Sequence, residues 1–244
     1  DQARPAAPAP ERLADASPSA AAAAPPRQAP ALPIVDPADR PRILFVDTET
    51  TGTASYDRIV SLGIVETRAG RFHQTACYLV FDPRKDSHPE AVAIHGWDDW
   101  TMRHQDLFAD HAEYLHRLLS SADLLVMHNA AFDLRFLNRE FQKAGLPELT
   151  VETRCTMHLA RQHWPGERAS LDACLARIGL ARASRRHGAF EDAFMAMNLF
   201  RHMAGASLLE PAAEWPQPSN FNLPPPRPDG PLPRRTIKRR AVPQ

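Results

Sequence analysis

The sequence predicts an α/β domain, a sheet with helices on its faces, set between two disordered proline-rich tails. Two observations carry that expectation. Of 24 prolines in 244 residues, ten lie in residues 1–41 and ten in 211–244, leaving four between them. A packed sheet and helices do not tolerate the outer density, whereas the middle is ordinary. Within that middle, three strand signals come first, and strand and helix patterns then alternate, the order that builds helices onto the faces of a sheet. The expected division is a Pro/Ala-rich segment at 1–41, a folded domain at 42–205 and a proline-rich basic tail at 206–244.

The elements follow in chain order. ILFV (43–46) is a short continuous apolar run, the mark of a strand buried on both faces. RIVSLGIVE (58–66) and RFHQTACYLV (71–80) are two more strands, joined as a hairpin around Ala69-Gly70. Residues 106–119 carry apolar positions at helical spacing, and SADLLVMHN (121–129) returns to a strand. AAFDLRFLNREFQKAG (130–145) is a helix with Gly145 as its stop and Pro147 just beyond. Further helices are expected at 155–163, at 170–178 with Ser170 as cap, and from Phe190 to Met203.

Composition narrows the function. Lys+Arg and Asp+Glu balance at 29 each, which argues against a protein that coats nucleic acid by phosphate neutralisation alone. It leaves room for a small site whose positive charge comes from metal ions. Cys77, Cys155 and Cys174 are scattered with no C-x-x-C pair, the usage of reduced thiols in a cytosolic protein. No apolar run has membrane-spanning length, so no membrane partner is expected. The alanine run at 20–24 lacks a basic leader and is not read as a signal peptide.

The first run ends in DTETTG (47–52). Side chains alternate along a strand, so Asp47 and Glu49 point to one side and Thr48 to the other. Two carboxylates at a strand end either share a proton or hold a cation, and oxygen donors favour a hard ion such as Mg²⁺ or Mn²⁺. Alone, the pattern is matched by an ordinary polar turn. HNAAFDLRFL (128–137) places Asp133 in a first helical turn, and HGAFEDAFMA (187–196) sets His187 five residues before Asp192. Each has a plain alternative, because acids favour helix N-termini in general.

Taken together the pieces form an ordered set. DTETTG, PEAVAIHG (89–96), VMHNAAFD (126–133), SLDACLAR (170–177) and HGAFEDA (187–193) resemble the motifs of the DEDDh 3′–5′ exonuclease family, over roughly residues 42–203. The resemblance implies a ribonuclease H-like mixed sheet and catalysis with two divalent ions, Mg²⁺ or Mn²⁺. It implies that Asp47 bridges both ions, that Glu49 and Asp192 complete the first site, and that Asp133 supports the second. His187 is the implied general base, since an imidazole titrates near working pH. Two such ions, about 3.5–4 Å apart, would also neutralise the clustered carboxylates. Implied substrate contacts are Thr50 and Gly52, Glu90 and His95, and Asn129 with Phe132. For His95 the alternative is a hydrogen-bonded turn histidine.

The family often has an aspartate before Ser or Thr where this chain has Cys155-Thr156, and commonly a glutamate where it has Ser61. Neither belongs to the catalytic five, so the departures bear on substrate preference. Arg182, Arg185 and Arg186 precede His187, as phosphate contacts or as a solvated loop. QPSNF (217–221) has the Gln-x-Ser-x-Phe spacing of sliding-clamp-binding peptides without their intervening apolar residues.

The implied function is removal of nucleoside 5′-monophosphates from single-stranded 3′ ends, DNA ahead of RNA, in proofreading or repair. The implied location is the cytoplasm, with a DNA polymerase or sliding clamp as partner. Three other readings stand beside it: a ribonuclease trimming RNA or short oligonucleotides, a catalytically silent module that binds nucleic acid or a polymerase, and an interaction protein that works through its proline-rich flanks.

Overall fold

The computed structural model describes residues 41–68, 71–182, 186–211 and 214–235. Five strands form one mixed sheet in the order β3-β2-β1-β4-β5: β1 (Ile43–Thr50), β2 (Ile59–Arg68), β3 (Arg71–Val80), β4 (Leu124–Met127) and β5 (Thr153–Cys155). The first three pair antiparallel, while β4 runs parallel to β1 and β5 parallel to β4. The expected mixed sheet with flanking helices is therefore present. The turn at Ala69-Gly70, the segment 1–40 and the last residues 236–244 lie outside the described residues.

The helices are α1 (Pro89–His95), α2 (Asp99–Met102), α3 (Phe108–Ser120), α4 (Ala130–Lys143), α5 (Thr156–His163), α6 (Leu171–Arg177) and α7 (Ala189–Met203). Alternation along β1 divides them into two layers. Leu44 and Val46 face Leu115, Leu119, Phe136 and Phe141 from α3 and α4. Phe45 faces the other way, into Ala160, Cys174, Phe190, Phe194 and Met197 from α5, α6 and α7. The ILFV run is apolar throughout because both its faces are covered.

One glycine decides where α7 begins. A Cβ on Gly63 of β2 would lie 2.3 Å from the Ala189 carbonyl carbon and 2.4 Å from Phe190 Cα. Only a bare backbone lets the first turn of α7 settle this closely on the sheet. That seating places the residues entering α7 beside the end of β1. Ser170 does occupy the N-cap position of α6, but its side chain makes no capping hydrogen bond.

The C-terminal stretch differs from expectation. Residues 214–235 do not hang free; they form a strap across the edge of the domain. Ser219 N–H donates to the Tyr78 carbonyl at 2.9 Å. The Asn220 side chain accepts from Val80 N–H at 2.9 Å and donates to the Val80 carbonyl at 2.7 Å. Gln105 and Asn222 exchange two hydrogen bonds of 2.9 Å, and Trp100 Nε1–H donates to the Pro225 carbonyl at 2.7 Å. Arg235 pairs with Asp82 and Asp86. Proline density excludes helix and central strand, but it does not exclude an extended chain whose carbonyls accept and whose side-chain amides satisfy a strand edge. Asn220→Ala orphans both Val80 backbone groups at once, and thermal unfolding is expected to show a loss of about 1–3 kcal/mol. An unchanged melting curve would mean the strap contributes nothing at that point.

Candidate active site

Because β1 and β4 are parallel neighbours, both end at the same rim of the sheet. Sites of open α/β sheets form at such rims, where the connections leaving adjacent strands diverge. Asp47 and Glu49 lie in the last four residues of β1, and Asp133 lies in the first turn of α4, which is separated from β4 by His128 and Asn129 alone. Asn129, the residue before α4, holds a left-handed φ of 73°, a conformation asparagine tolerates, and so turns the chain back over the rim.

The alternation that sends Phe45 toward α7 sends Asp47 and Glu49 the same way, and puts Thr48 with Leu44 and Val46 on the α4 side. Thr48 was expected only to point away from the acids. It acts as a clasp: its N–H and Oγ1–H both donate to Asp133 Oδ1, at 3.0 and 2.7 Å. Asp133 is thus tied to β1 from the opposite layer.

The third contribution comes with α7. His187 N–H donates to the Ile94 carbonyl at the end of α1 at 2.8 Å, and Asp192 N–H to the Gly188 carbonyl at 2.8 Å. These bonds hold the loop and first turn at the rim. One ligand atom each of Glu49, His187 and Asp192 lies within 4.8 Å of the others. His187 Nδ1 stands 3.6 Å from Asp192 Oδ2, turned toward it but too far for a hydrogen bond.

The electrostatics record how crowded this corner is. Burial raises Asp47 well above the ordinary carboxylate range, and the charges of Asp133 and Glu49 raise it further. Burial pushes Glu49 up to about 8, with Arg182 pulling the other way. Asp133 is pushed up to about 7 by burial against the two Thr48 hydrogen bonds. Burial, then the nearby Arg182 charge, lowers His187 below 6.5. Carboxylates this destabilised as anions call for positive charge. Their oxygen donors, with one imidazole alongside, suit a hard divalent cation.

The residues singled out as substrate contacts are less uniform. Thr50 Oγ1–H is spent on the Gly52 carbonyl at 2.7 Å. At Gly52 a Cβ would meet His88 at 2.4 Å and Asp57 at 2.6 Å, so its bareness already serves packing within the protein. Glu90 and Asn129 are exposed. The Phe132 ring is half-buried, 4.8 Å from Phe136 and under the Arg135 guanidinium. His95 is buried, with burial pushing it down to about 4. Its Nδ1 accepts from Trp97 N–H at 3.0 Å, which makes Nε2 the protonated nitrogen, and Nε2 has no partner among the described residues. The turn-histidine alternative is therefore half the account: one nitrogen serves the turn, and the other is left with a proton to donate.

Three placements were not legible beforehand. Ser61 pairs with Glu49 across β1 and β2, and its buried hydroxyl has no partner among the described residues. Thr156, next to the unusual Cys155, is sealed beneath β4, where its hydroxyl meets His128 Nδ1 at 2.9 Å and the Met127 carbonyl at 3.3 Å. Arg182 is neither solvated nor on the surface: it pairs with Asp172 and Asp192 at the inner edge of the site. Arg185 lies outside the described residues. Arg186 lines a groove beside His187 together with Trp97, Phe190 and, from the strap, Trp215 and Gln217.

Comparison with known proteins gives a consistent result. A family model described as Exonuclease (RNase_T) matches residues 44–200. The chain is 33% identical over 181 residues to DNA polymerase III subunit epsilon of Pasteurella multocida, covering 69% of this chain and 71% of that one. It is 33% identical over 175 residues to the Escherichia coli subunit of the same name, covering 67% and 72%. Among solved structures, exonuclease X in complex with 5′ overhanging duplex DNA superposes with a TM-score of 0.52 at 24% identity, covering 68% of this chain and 95% of that one. The zinc-bound E. coli exonuclease I–ssDNA complex gives 0.60 at 17% identity, covering 67% of this chain and 40% of that one. At those identities the structural likeness speaks for the fold.

Proposed function

The chain belongs to the exonuclease family, and on that premise we propose that it is a metal-dependent 3′–5′ exonuclease that removes nucleoside 5′-monophosphates from single-stranded DNA ends. The observation that carries this reading is the meeting of Glu49, His187 and Asp192 within 4.8 Å, at the strand end that also bears Asp47 and adjoins Asp133. Residues 42–205 form the exonuclease unit. The proposed setting is proofreading in the cytoplasm beside a DNA polymerase, the assembly in which the epsilon subunits are named. No helix among the described residues is long and apolar enough to cross a membrane. A sliding-clamp contact through QPSNF has less support, because Ser219, Asn220 and Phe221 are engaged with Tyr78, Val80 and Trp97 of the same chain.

In this reading Asp47, Glu49, Asp133 and Asp192 would hold two divalent ions, Mg²⁺ or Mn²⁺. Bound there, the ions would neutralise the carboxylates and stabilise charge on the attacking and leaving oxygens. His187 takes the proton of the attacking water. Burial and the nearby Arg182 charge keep its imidazole neutral at pH 7, the form a base requires. With Nδ1 turned toward Asp192, Nε2 is the nitrogen left for that proton. Thr48 keeps Asp133 in register, and His95 is the proposed contact for the terminal nucleotide.

A 5′-labelled single-stranded oligonucleotide incubated with Mg²⁺ or Mn²⁺ tests the function. Stepwise shortening from the 3′ end, lost with EDTA and faster on DNA than on RNA, is the expected result. Preference for RNA would favour the ribonuclease reading, and binding without shortening would favour a silent module.

The acids also predict how stability depends on pH. Glu49 and Asp133 are pushed up to about 8 and about 7, whereas unfolded carboxyls titrate near about 4. The native state therefore binds more protons over that window. The associated stability is complete below about pH 4 and is lost as pH rises through 7 and 8. Glu66, held down at about 2 by Arg42, acts in the opposite sense, but only below its unfolded value. The melting temperature of metal-free protein should fall between about pH 5 and 8, and Mg²⁺ should reverse the fall. A flat profile would contradict the charge crowding.

A further inference from the structure

Arg182 belongs to the run of arginines before His187, where a contact with substrate phosphate or with solvent was expected. The structure buries it instead. Its side chain is 8% exposed, and its two ends reach different acids. Nε donates to Asp172 Oδ1 at 2.6 Å, on the outside, where Asp172 is 64% exposed. Nη1 pairs with Asp192 Oδ1, on the inside, where Asp192 is 6% exposed. The charge of this guanidinium is felt at Asp47, at Glu49 and at His187.

A guanidinium cannot give up its proton in a protein, so this positive charge is permanent. It stands against a carboxylate that the proposed reaction needs for a divalent ion. Arginine and ion would draw on the same Asp192 carboxylate, and two cations crowded onto one acid repel each other. Asp172 provides the guanidinium with a second anchor outside the cluster, already in contact.

We propose that Arg182 is the placeholder cation of the metal-free site: it holds Asp192 until a divalent ion arrives, then gives up that contact and remains on Asp172. This rests on the reading of Asp192 as a metal ligand. Arg182 is thus a positioning residue that sets the metal affinity by competition and keeps the carboxylates from splaying apart before the metal binds.

The test is a titration with Mn²⁺ alone, without nucleic acid, at fixed pH, reading free Mn²⁺ by its electron paramagnetic resonance signal. Arg182→Gln should bind Mn²⁺ about tenfold more tightly than the wild type. Asp172→Asn, which removes the outer anchor and leaves the acid cluster untouched, should bind it more weakly. Opposite signs from two substitutions at one ion pair are not what a merely structural pair produces. A second measurement needs no variant: in crystals of the wild-type protein soaked with Mn²⁺, the Arg182–Asp192 pair should be broken and the Arg182–Asp172 pair retained. Unchanged or weaker binding by Arg182→Gln, or an intact Arg182–Asp192 pair with Mn²⁺ bound, would overturn the inference while leaving the exonuclease reading standing. A wild-type protein that binds no Mn²⁺ would remove both.

Discussion

Replacing Asp47 with alanine is expected to slow 3′-end shortening by about 10³-fold or more without unfolding the protein. The magnitude follows from its proposed role as a metal ligand: the charge stabilisation a bound divalent ion would supply is worth several kcal/mol, and each ~1.4 kcal/mol is a factor of ten. The structural side runs the other way. Asp47 is raised by burial and by the charges of Asp133 and Glu49, so its removal relieves repulsion in the metal-free state. The variant should therefore melt no lower than the wild type without metal, and gain less when Mg²⁺ is added. Gel analysis of the labelled ladder and paired melting curves separate the two effects. Full activity in the variant would remove Asp47 from the reaction.

The second large effect is at His187. His187→Ala should lose about 10²–10⁴-fold in rate, the range for a positioned general base. The wild-type rate should climb with pH as the imidazole loses its proton. That climb should be centred below the ordinary histidine value of 6.5, because burial and Arg182 both disfavour the cation. The alanine variant should lose this limb of the profile. Its Mn²⁺ binding should persist, even though the imidazole lies within 4.8 Å of donor atoms on Glu49 and Asp192. If binding vanished with the rate, His187 would be a ligand instead of a base.

Much of the fold could be read from local pattern. The apolar run at 43–46, the strand signal at 58–66 and the helix pattern at 130–145 all mark elements that exist, with ends shifted by a few residues. Of the elements that local pattern does not mark, α1 has seven residues and the other two are shorter still. β5 has three residues, TRC, and α2 has four. Neither carries a periodic pattern long enough to see, and each is defined by what it contacts: β5 by pairing with β4, α2 by Asp98, whose side chain caps Trp100 and Thr101. The strap is invisible to local pattern for a related reason. Proline counts report which backbone hydrogen bonds a segment cannot make, and they are silent about a distant edge such as Val80 that can use its side chains.

The site divides along the same line. The identities and order of Asp47, Glu49, Asp133, His187 and Asp192 are properties of the sequence, and so is the gathering of the first two on one side of a strand. Their types prescribe the chemistry, and a period of two prescribes the side. Thr48 clasping Asp133, Gly63 admitting the start of α7, Ser61 lying beside Glu49 and Arg182 turning inward among the acids were settled only by the tertiary structure. Each depends on where a second segment arrives in space. An ionic or hydrogen-bonding partner is chosen by distance after the sheet and its two helical layers have closed, and no local periodicity encodes that distance.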